Sequence, residues 1–155
     1  MEKKPWWVLK LFVWGLLGLL SFIPHAESQS GVNAAKLQVE ITGVRNDRGV
    51  LLISLYNHQE GFPDNPSRSI SKRMLKSAAG KVITEWSELA AGSHAIAVLH
   101  DENSDGKMNT NLIGIPIEGF GFSNNKLGLA GPPSFQRASI ELKRGINKTI
   151  IKLRY

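Results

Sequence analysis

Short segments in which apolar and polar residues alternate recur along most of the chain. In residues 36–42, Leu37, Val39 and Ile41 alternate with polar side chains, which predicts a strand with one buried face. Residues 49–56 are apolar at nearly every position, which predicts a strand that is buried on both faces or central in a sheet. The same patterns predict strands at residues 80–86, 93–99, 138–142 and 148–155.

The segments between these strands are rich in turn residues, and none has the pattern of a long amphipathic helix. Residues 57–77 form a long connection that is interrupted by Gly and Pro, with a short helical turn expected at 70–75. A single helical turn is also expected at 134–137. About seven short strands predict an all-β fold, a single antiparallel β-sandwich of the immunoglobulin or transthyretin type. We expect its core to contain Leu37, Val39, Ile41, Ile53, Val98 and Ile151.

The N-terminal residues have the layout of a Sec-type signal peptide. Basic residues, among them Lys3, Lys4 and Lys10, precede an apolar run at 11–23, and small residues follow it. This run is shorter than the ~20 residues of a spanning helix, although a retained membrane anchor is the alternative. We expect a signal peptide at residues 1–28.

Cleavage after this segment would leave a short linker at residues 29–35 and a β-sandwich domain at 36–155. The expected location is the periplasm or the outside of the cell. After cleavage the protein would not be an integral membrane protein.

Charge and cysteine content narrow the classes of partner and chemistry. The chain has 19 Lys and Arg against 13 Asp and Glu; without the three basic and two acidic residues before position 29, the counts are 16 and 11, a net charge of +5. This charge favours anionic cell-envelope polymers, or simply keeps a small protein soluble. Nucleic acid is not an expected partner of an exported protein. The absence of Cys excludes thiolate catalysis and Cys-based zinc sites.

Residues 100–125 carry the most distinctive chemistry. Alternating oxygen-bearing side chains followed by Gly106 match the first half of a DxNxDG calcium loop. Leu112 stands where an EF-hand has its bidentate Glu, which excludes an EF-hand. The alternative is a turn whose Asp and Asn side chains accept hydrogen bonds from their own backbone. The candidate ligands of a Ca²⁺ ion, the one cofactor considered, are Asp101, Asn103, Asp105, Asn109 and Glu118.

Two aromatic residues follow this loop in the sequence Gly119-Phe120-Gly121-Phe122. Phe120 and Phe122 share one face of a strand, which favours burial of both in the core. If they were exposed, they would form with Asn124 a contact surface for a sugar or a peptide.

The run LAAGSHAIAVLHDENSDGKMNTNLIGIPIEGFGFSNN, followed by GPPSFQRASIEL, resembles the bacterial domain of unknown function 2141. The resemblance covers nearly all of the chain after the signal peptide. It implies an exported, single-domain β protein, and it implies no activity.

Three functions are consistent with these features. The first is an exported, non-catalytic module that binds an unidentified ligand or partner, such as a cell-envelope polymer, a sugar or a peptide, through residues 100–125. The alternative is a small periplasmic enzyme that uses His100 with Asp101 or Glu118, although neighbouring strand residues point to opposite faces. The third is an envelope-associated protein whose basic residues 68–76 contact an anionic surface.

Overall fold

Strands dominate the structure, a computed structural model that describes residues 34–128 and 131–155. The predicted signal peptide and the predicted linker up to residue 33 lie outside the described residues. In chain order the elements are β1 (Ala35–Val44), β2 (Val50–Tyr56), β3 (Ser71–Lys76), β4 (Gly80–Leu89), β5 (Gly92–Asp101), β6 (Gly119–Phe122), α1 (Phe135–Ala138), β7 (Ile140–Leu142) and β8 (Gly145–Lys152).

The strands form two sheets. One has three strands in the order β4-β1-β8, and the other has the order β3-β2-β5-β6, with β7 also paired to β5. The all-β prediction is confirmed, with eight strands in the described residues where about seven were expected. All pairs between named strands in this part of the chain are antiparallel except β1–β8, which is parallel.

The core lies between the two sheets. Alternate residues of β1 face alternate residues of β2 and β5, as their sequence period of two requires. All six predicted core residues are buried, with at most 3 % exposure. The predicted single helical turn is also confirmed, because Ser134 caps α1 by accepting a hydrogen bond from the backbone N–H of Arg137.

The helical turn expected at residues 70–75 is wrong, because this segment belongs to β3. Its side chains alternate between half-buried and exposed, and Trp86 of the other sheet contacts two of them, Ser71 and Arg73. Strand β3 is an edge strand of the five-stranded sheet, and its exposed positions are basic or Met. Lysines on edge strands discourage edge-to-edge aggregation. Here they also remove the alternation of apolar and polar residues by which a strand is predicted.

The chain after β8 connects the two sheets. The backbone N–H of Leu153 donates a hydrogen bond to the carbonyl of Thr42 in β1, and Arg154 forms a two-way backbone bridge with Phe120 of β6. In the described residues, no helix is long and apolar enough to span a membrane.

Candidate functional site

The five-stranded sheet is apolar on both faces. Its outer face, which is turned away from the three-stranded sheet, contains two cross-strand rows. One row consists of Leu52, Leu99 and Phe120, and the other of Ser54, Ala97 and Phe122. These residues alternate along the strands with core residues such as Ile53 and Val98, so the apolar run at 49–56 supplies a core face and an outer face.

Loops close around this outer face and turn it into a groove of about 590 Å³. The connection between β2 and β3 contributes Pro63 and Pro66, and the connection between β5 and β6 contributes Met108 and Pro116. Near one end, Phe62 packs edge-on against Phe122 and against Phe135 of α1. The volume and the apolar lining are typical of small-molecule sites.

The glycines of the Gly-Phe-Gly-Phe segment explain why its aromatic rings face the groove. A Cβ atom at position 119 would overlap the ring of Tyr155, and one at position 121 would lie 2.8 Å from Cγ2 of Ile151. Side chains larger than hydrogen therefore cannot be accommodated on the inner side of β6 without displacement. Phe120 and Phe122 lie on the opposite side and line the groove.

The predicted contact residues are thus placed in two different environments. Phe122 is buried at 8 % exposure and Phe120 is half-buried, and both contribute to the groove. Asn124 follows β6 in a turn, where its side-chain amide donates a hydrogen bond to the carbonyl of Ser139. Asn125, which the sequence did not single out, bonds the backbone of β8 with its carbonyl and its amide.

Two carboxylates at the base of the 101–118 loop are buried and accept backbone hydrogen bonds. Asp101 accepts from Asp105 at 3.1 Å and from Gly106 at 2.8 Å. Glu118 accepts from Glu102 at 2.9 Å and from Asn109 at 3.0 Å. Such bonds satisfy buried carboxylates and fix the course of the loop.

The exposed part of the same loop is held together by its amide side chains. Asn103 and Asn109 both donate to Oδ2 of Asp105, at 3.1 and 3.0 Å. The hydrogen bond from Asn109, followed by the one from the backbone of Lys107, keeps the pKa of Asp105 below its ordinary value. Four predicted calcium ligands, Asp101, Asn103, Asp105 and Asn109, are therefore linked in one hydrogen-bond network.

This network has the geometry of a self-bonded Asp/Asn turn, the alternative to a calcium loop. Among the described residues, no three Asp, Glu or His side chains are placed to share a metal ion. Calcium binding by Asp101, Asn103, Asp105, Asn109 and Glu118 therefore stays a prediction.

A polar cluster beside the loop was not predicted from the sequence. Glu102, whose side chain is 8 % exposed, lies 2.5 Å from guanidinium nitrogens of both Arg45 and Arg48 and accepts a hydrogen bond from Asn46. Burial raises the pKa of Glu102, but the hydrogen bonds from Asn46, Arg45 and Arg48 together outweigh burial and hold this pKa below its ordinary value. The cluster ties the β1–β2 turn to the loop.

His100 is fully buried, and both of its ring nitrogens have partners within the protein. Nε2 lies 2.9 Å from the carbonyl oxygen of Arg48, and Nδ1 lies 2.6 Å from the hydroxyl of Tyr155. The carbonyl can only accept, so Nε2 carries the proton of this hydrogen bond. Asp101 and Glu118 are also buried, and their carboxylates accept hydrogen bonds from loop backbone.

The sequence profile of one protein family matches residues 39–150. The family is described as an uncharacterized protein conserved in bacteria, DUF2141. The matched region covers more than two thirds of the chain. No curated protein and no solved structure matches the chain.

Proposed function

The chain belongs to the DUF2141 family, and we propose that it is an exported, non-catalytic β-sandwich module that binds a small apolar ligand in the groove outside the five-stranded sheet. The observation that carries this proposal is the groove itself, which has a volume of about 590 Å³. Its concave apolar surface is formed by Leu52, Leu99, Phe120 and Phe122. Apolar surface of this shape gains free energy when a ligand displaces water from it.

The groove is well suited to binding because its floor is rigid and its walls are loops. The floor consists of hydrogen-bonded strands, and Phe122 is further held by the ring of Phe62. Ser54, Asp64 and Lys107 are the polar side chains that line the groove within the described residues. A few polar groups on an apolar site commonly orient a ligand.

Binding is tested with N-phenyl-1-naphthylamine, an uncharged dye whose fluorescence rises in apolar surroundings. We expect saturable binding by the wild type and its loss in Ala97→Trp, which fills the centre of the floor. Ile83→Trp, at an exposed position on the three-stranded sheet, is the matched control and should bind normally. Leu52→Asp provides a second blocking variant. If the wild type does not bind the dye, or if both blocking variants fold and bind it normally, the proposal is wrong.

The proposal of export is supported by the N-terminal sequence, in which the basic residues Lys3, Lys4 and Lys10 precede the apolar run at 11–23 as in a secretory signal peptide. Mass spectrometry of the protein recovered from a bacterial periplasm should give a chain that begins between residues 27 and 29. Recovery of the intact chain from the membrane fraction would favour a retained anchor instead.

A second proposal is that the 101–118 loop binds calcium. Asp101 and Glu118 support it, because both are buried carboxylates and neither is among the ion pairs of the described residues. The atoms that could coordinate a metal ion in this loop are oxygen atoms, which are the ligands that Ca²⁺ prefers. The thermal-melt experiment in the Discussion tests this proposal.

A further inference from the structure

The apolar floor of the groove extends to the edge of the sheet. Met74 of β3 lies beside Leu52 in the strand register and is 69 % exposed. The row Met74–Leu52–Leu99–Phe120 therefore crosses four neighbouring strands. Three interstrand spacings of about 4.8 Å make this row about 14 Å long.

Two lysines flank the exposed end of this row. Lys72 and Lys76 stand two residues before and two residues after Met74, so their side chains leave the same face of β3. The register places Lys72 beside Ser54, which lines the groove, and Lys76 beside Val50. A long apolar track thus ends between two positive charges.

The two lysines at this end of the row are in no ion pair with a carboxylate of the described residues. In the described part of the chain, the ion pairs involve Lys36, Lys81 and three arginines, and neither Lys72 nor Lys76 takes part in one. The acidic residue that lines the groove, Asp64, belongs to the β2–β3 connection and not to the edge strand. Lys107, in the β5–β6 connection, adds a positive charge to the groove lining.

We infer that the groove binds an amphiphile with one apolar chain and an anionic head. This inference rests on the proposed function and adds the chemical class of the ligand. The chain lies along Met74, Leu52 and Leu99 toward Phe120, and the carboxylate or phosphate head lies at the edge strand between Lys72 and Lys76. Long lysine side chains can follow such a head, because they carry a compact charge on a flexible stem.

The test compares ligands that share one chain and differ in the head. Dodecanoate, dodecyl phosphate and dodecanol, each below the concentration at which it aggregates or separates from water, compete with bound N-phenyl-1-naphthylamine. We expect the two anions to displace the dye at about tenfold lower concentration than the alcohol, a difference of about 1.4 kcal/mol. Two exposed ion contacts are of this size. The preference should shrink as salt is added.

The variant Lys72→Glu/Lys76→Glu should lose the preference for the anions and still bind the uncharged dye. The control Lys148→Glu/Lys152→Glu has the same spacing on β8 of the other sheet and should keep the preference. Equal displacement by dodecanol and dodecanoate in the wild type would overturn the inference while dye binding still supports the proposed function. A preference for the anions that survives in Lys72→Glu/Lys76→Glu would overturn it as well.

Failure of the wild type to bind the dye refutes the proposed function. If dodecanoate and dodecyl phosphate displace the dye at different concentrations, the ligand that acts at the lower concentration shows whether the head is a carboxylate or a phosphate.

Discussion

The hydroxyl of Tyr155 lies 2.6 Å from Nδ1 of His100, which is 55 residues earlier in the chain. The same hydroxyl accepts a hydrogen bond from the backbone N–H of Arg45 at 3.1 Å, and the Arg45 guanidinium lies 4.2 Å from the centre of the Tyr155 ring. Burial, together with the charge of Glu102, raises the pKa of Tyr155, so the phenol stays protonated at neutral pH and can donate to His100. The contact joins β5, the β1–β2 turn and the end of the chain.

Tyr155→Phe should destabilise the protein by about 1 to 2 kcal/mol, because the buried Nδ1 of His100 loses its donor. Urea denaturation of the wild type and the variant measures this difference. His100→Phe combined with Tyr155→Phe removes both polar partners and should cost less than the sum of the two single changes. If the loss of stability in the double variant equals the sum of the losses in the two single variants, there is no direct bond between His100 and Tyr155.

Gly119→Ala should destabilise the fold by about 1 to 3 kcal/mol, because the added methyl group overlaps the Tyr155 ring. The measurement is again the free energy of unfolding in urea. In the background Tyr155→Ala the same substitution should cost clearly less, since the obstructing ring is gone. An equal cost in both backgrounds would show that the ring is not what Gly119 makes room for.

Glu102 should make the stability of the protein sensitive to acid. The pKa of Glu102 is lowered in the folded state, so Glu102 adds to the free energy of unfolding at pH values above the ordinary Glu pKa of 4.5. This contribution is lost as the pH falls through the lower pKa of the folded state. Glu102→Gln should cost about 1 to 2 kcal/mol at pH 7, a modest value because Arg45 and Arg48 are partly exposed to solvent.

Unfolding measured between pH 7 and pH 3 should show a smaller difference between wild type and Glu102→Gln at the acid end. Glu88→Gln, at an exposed position near the end of β4, is the control and should follow the wild type throughout. If the difference between wild type and Glu102→Gln is the same at pH 3 and at pH 7, the arginine cluster does not carry the acid sensitivity.

Local patterns were sufficient to predict the core strands. Alternation in β1 assigned Leu37, Val39 and Ile41 to the core, and the continuous apolar run of β2 indicated that both faces are covered. The second face proved to be the floor of a groove, because covering loops leave Leu52 only partly enclosed. The run that is apolar at nearly every position, together with Phe120 and Phe122, was therefore the signal for the groove in the sequence.

Features that depend on distant pairing were not predictable. Ser71–Lys76 forms a strand because it pairs with β2. Its own residues are mostly polar or basic, so they do not show the alternation of apolar and polar positions that predicts a strand. The Glu102 cluster joins residues more than 50 positions apart. Phe120 and Phe122 were expected to be buried, and Phe122 is buried in a second apolar cluster against which Phe120 packs. The sequence did not show on which side of β6 this cluster lies, which the two glycines decide because Tyr155 and Ile151 occupy the other side.

Calcium should raise the melting temperature if the 101–118 loop binds it. A ligand that binds only the folded state adds RT ln(1 + [L]/Kd), or about 2.7 kcal/mol at a hundredfold excess over Kd. For a domain of this size that corresponds to roughly 5–10 °C. Thermal melts of the protein in millimolar calcium and in EDTA measure the shift.

The variants separate a calcium site from a self-bonded turn. Asp105→Ala should abolish the calcium-dependent part of the shift, because Asp105 is exposed and is bonded only within its own loop. Asp101→Ala should do the same, but it also removes the acceptor of two backbone N–H groups and so lowers the melting temperature in EDTA. Asp64→Ala, in the β2–β3 connection, should keep the full shift. If calcium does not move the wild-type melt relative to EDTA, the hydrogen bonds from the loop backbone are sufficient to hold these carboxylates, and the calcium proposal is wrong.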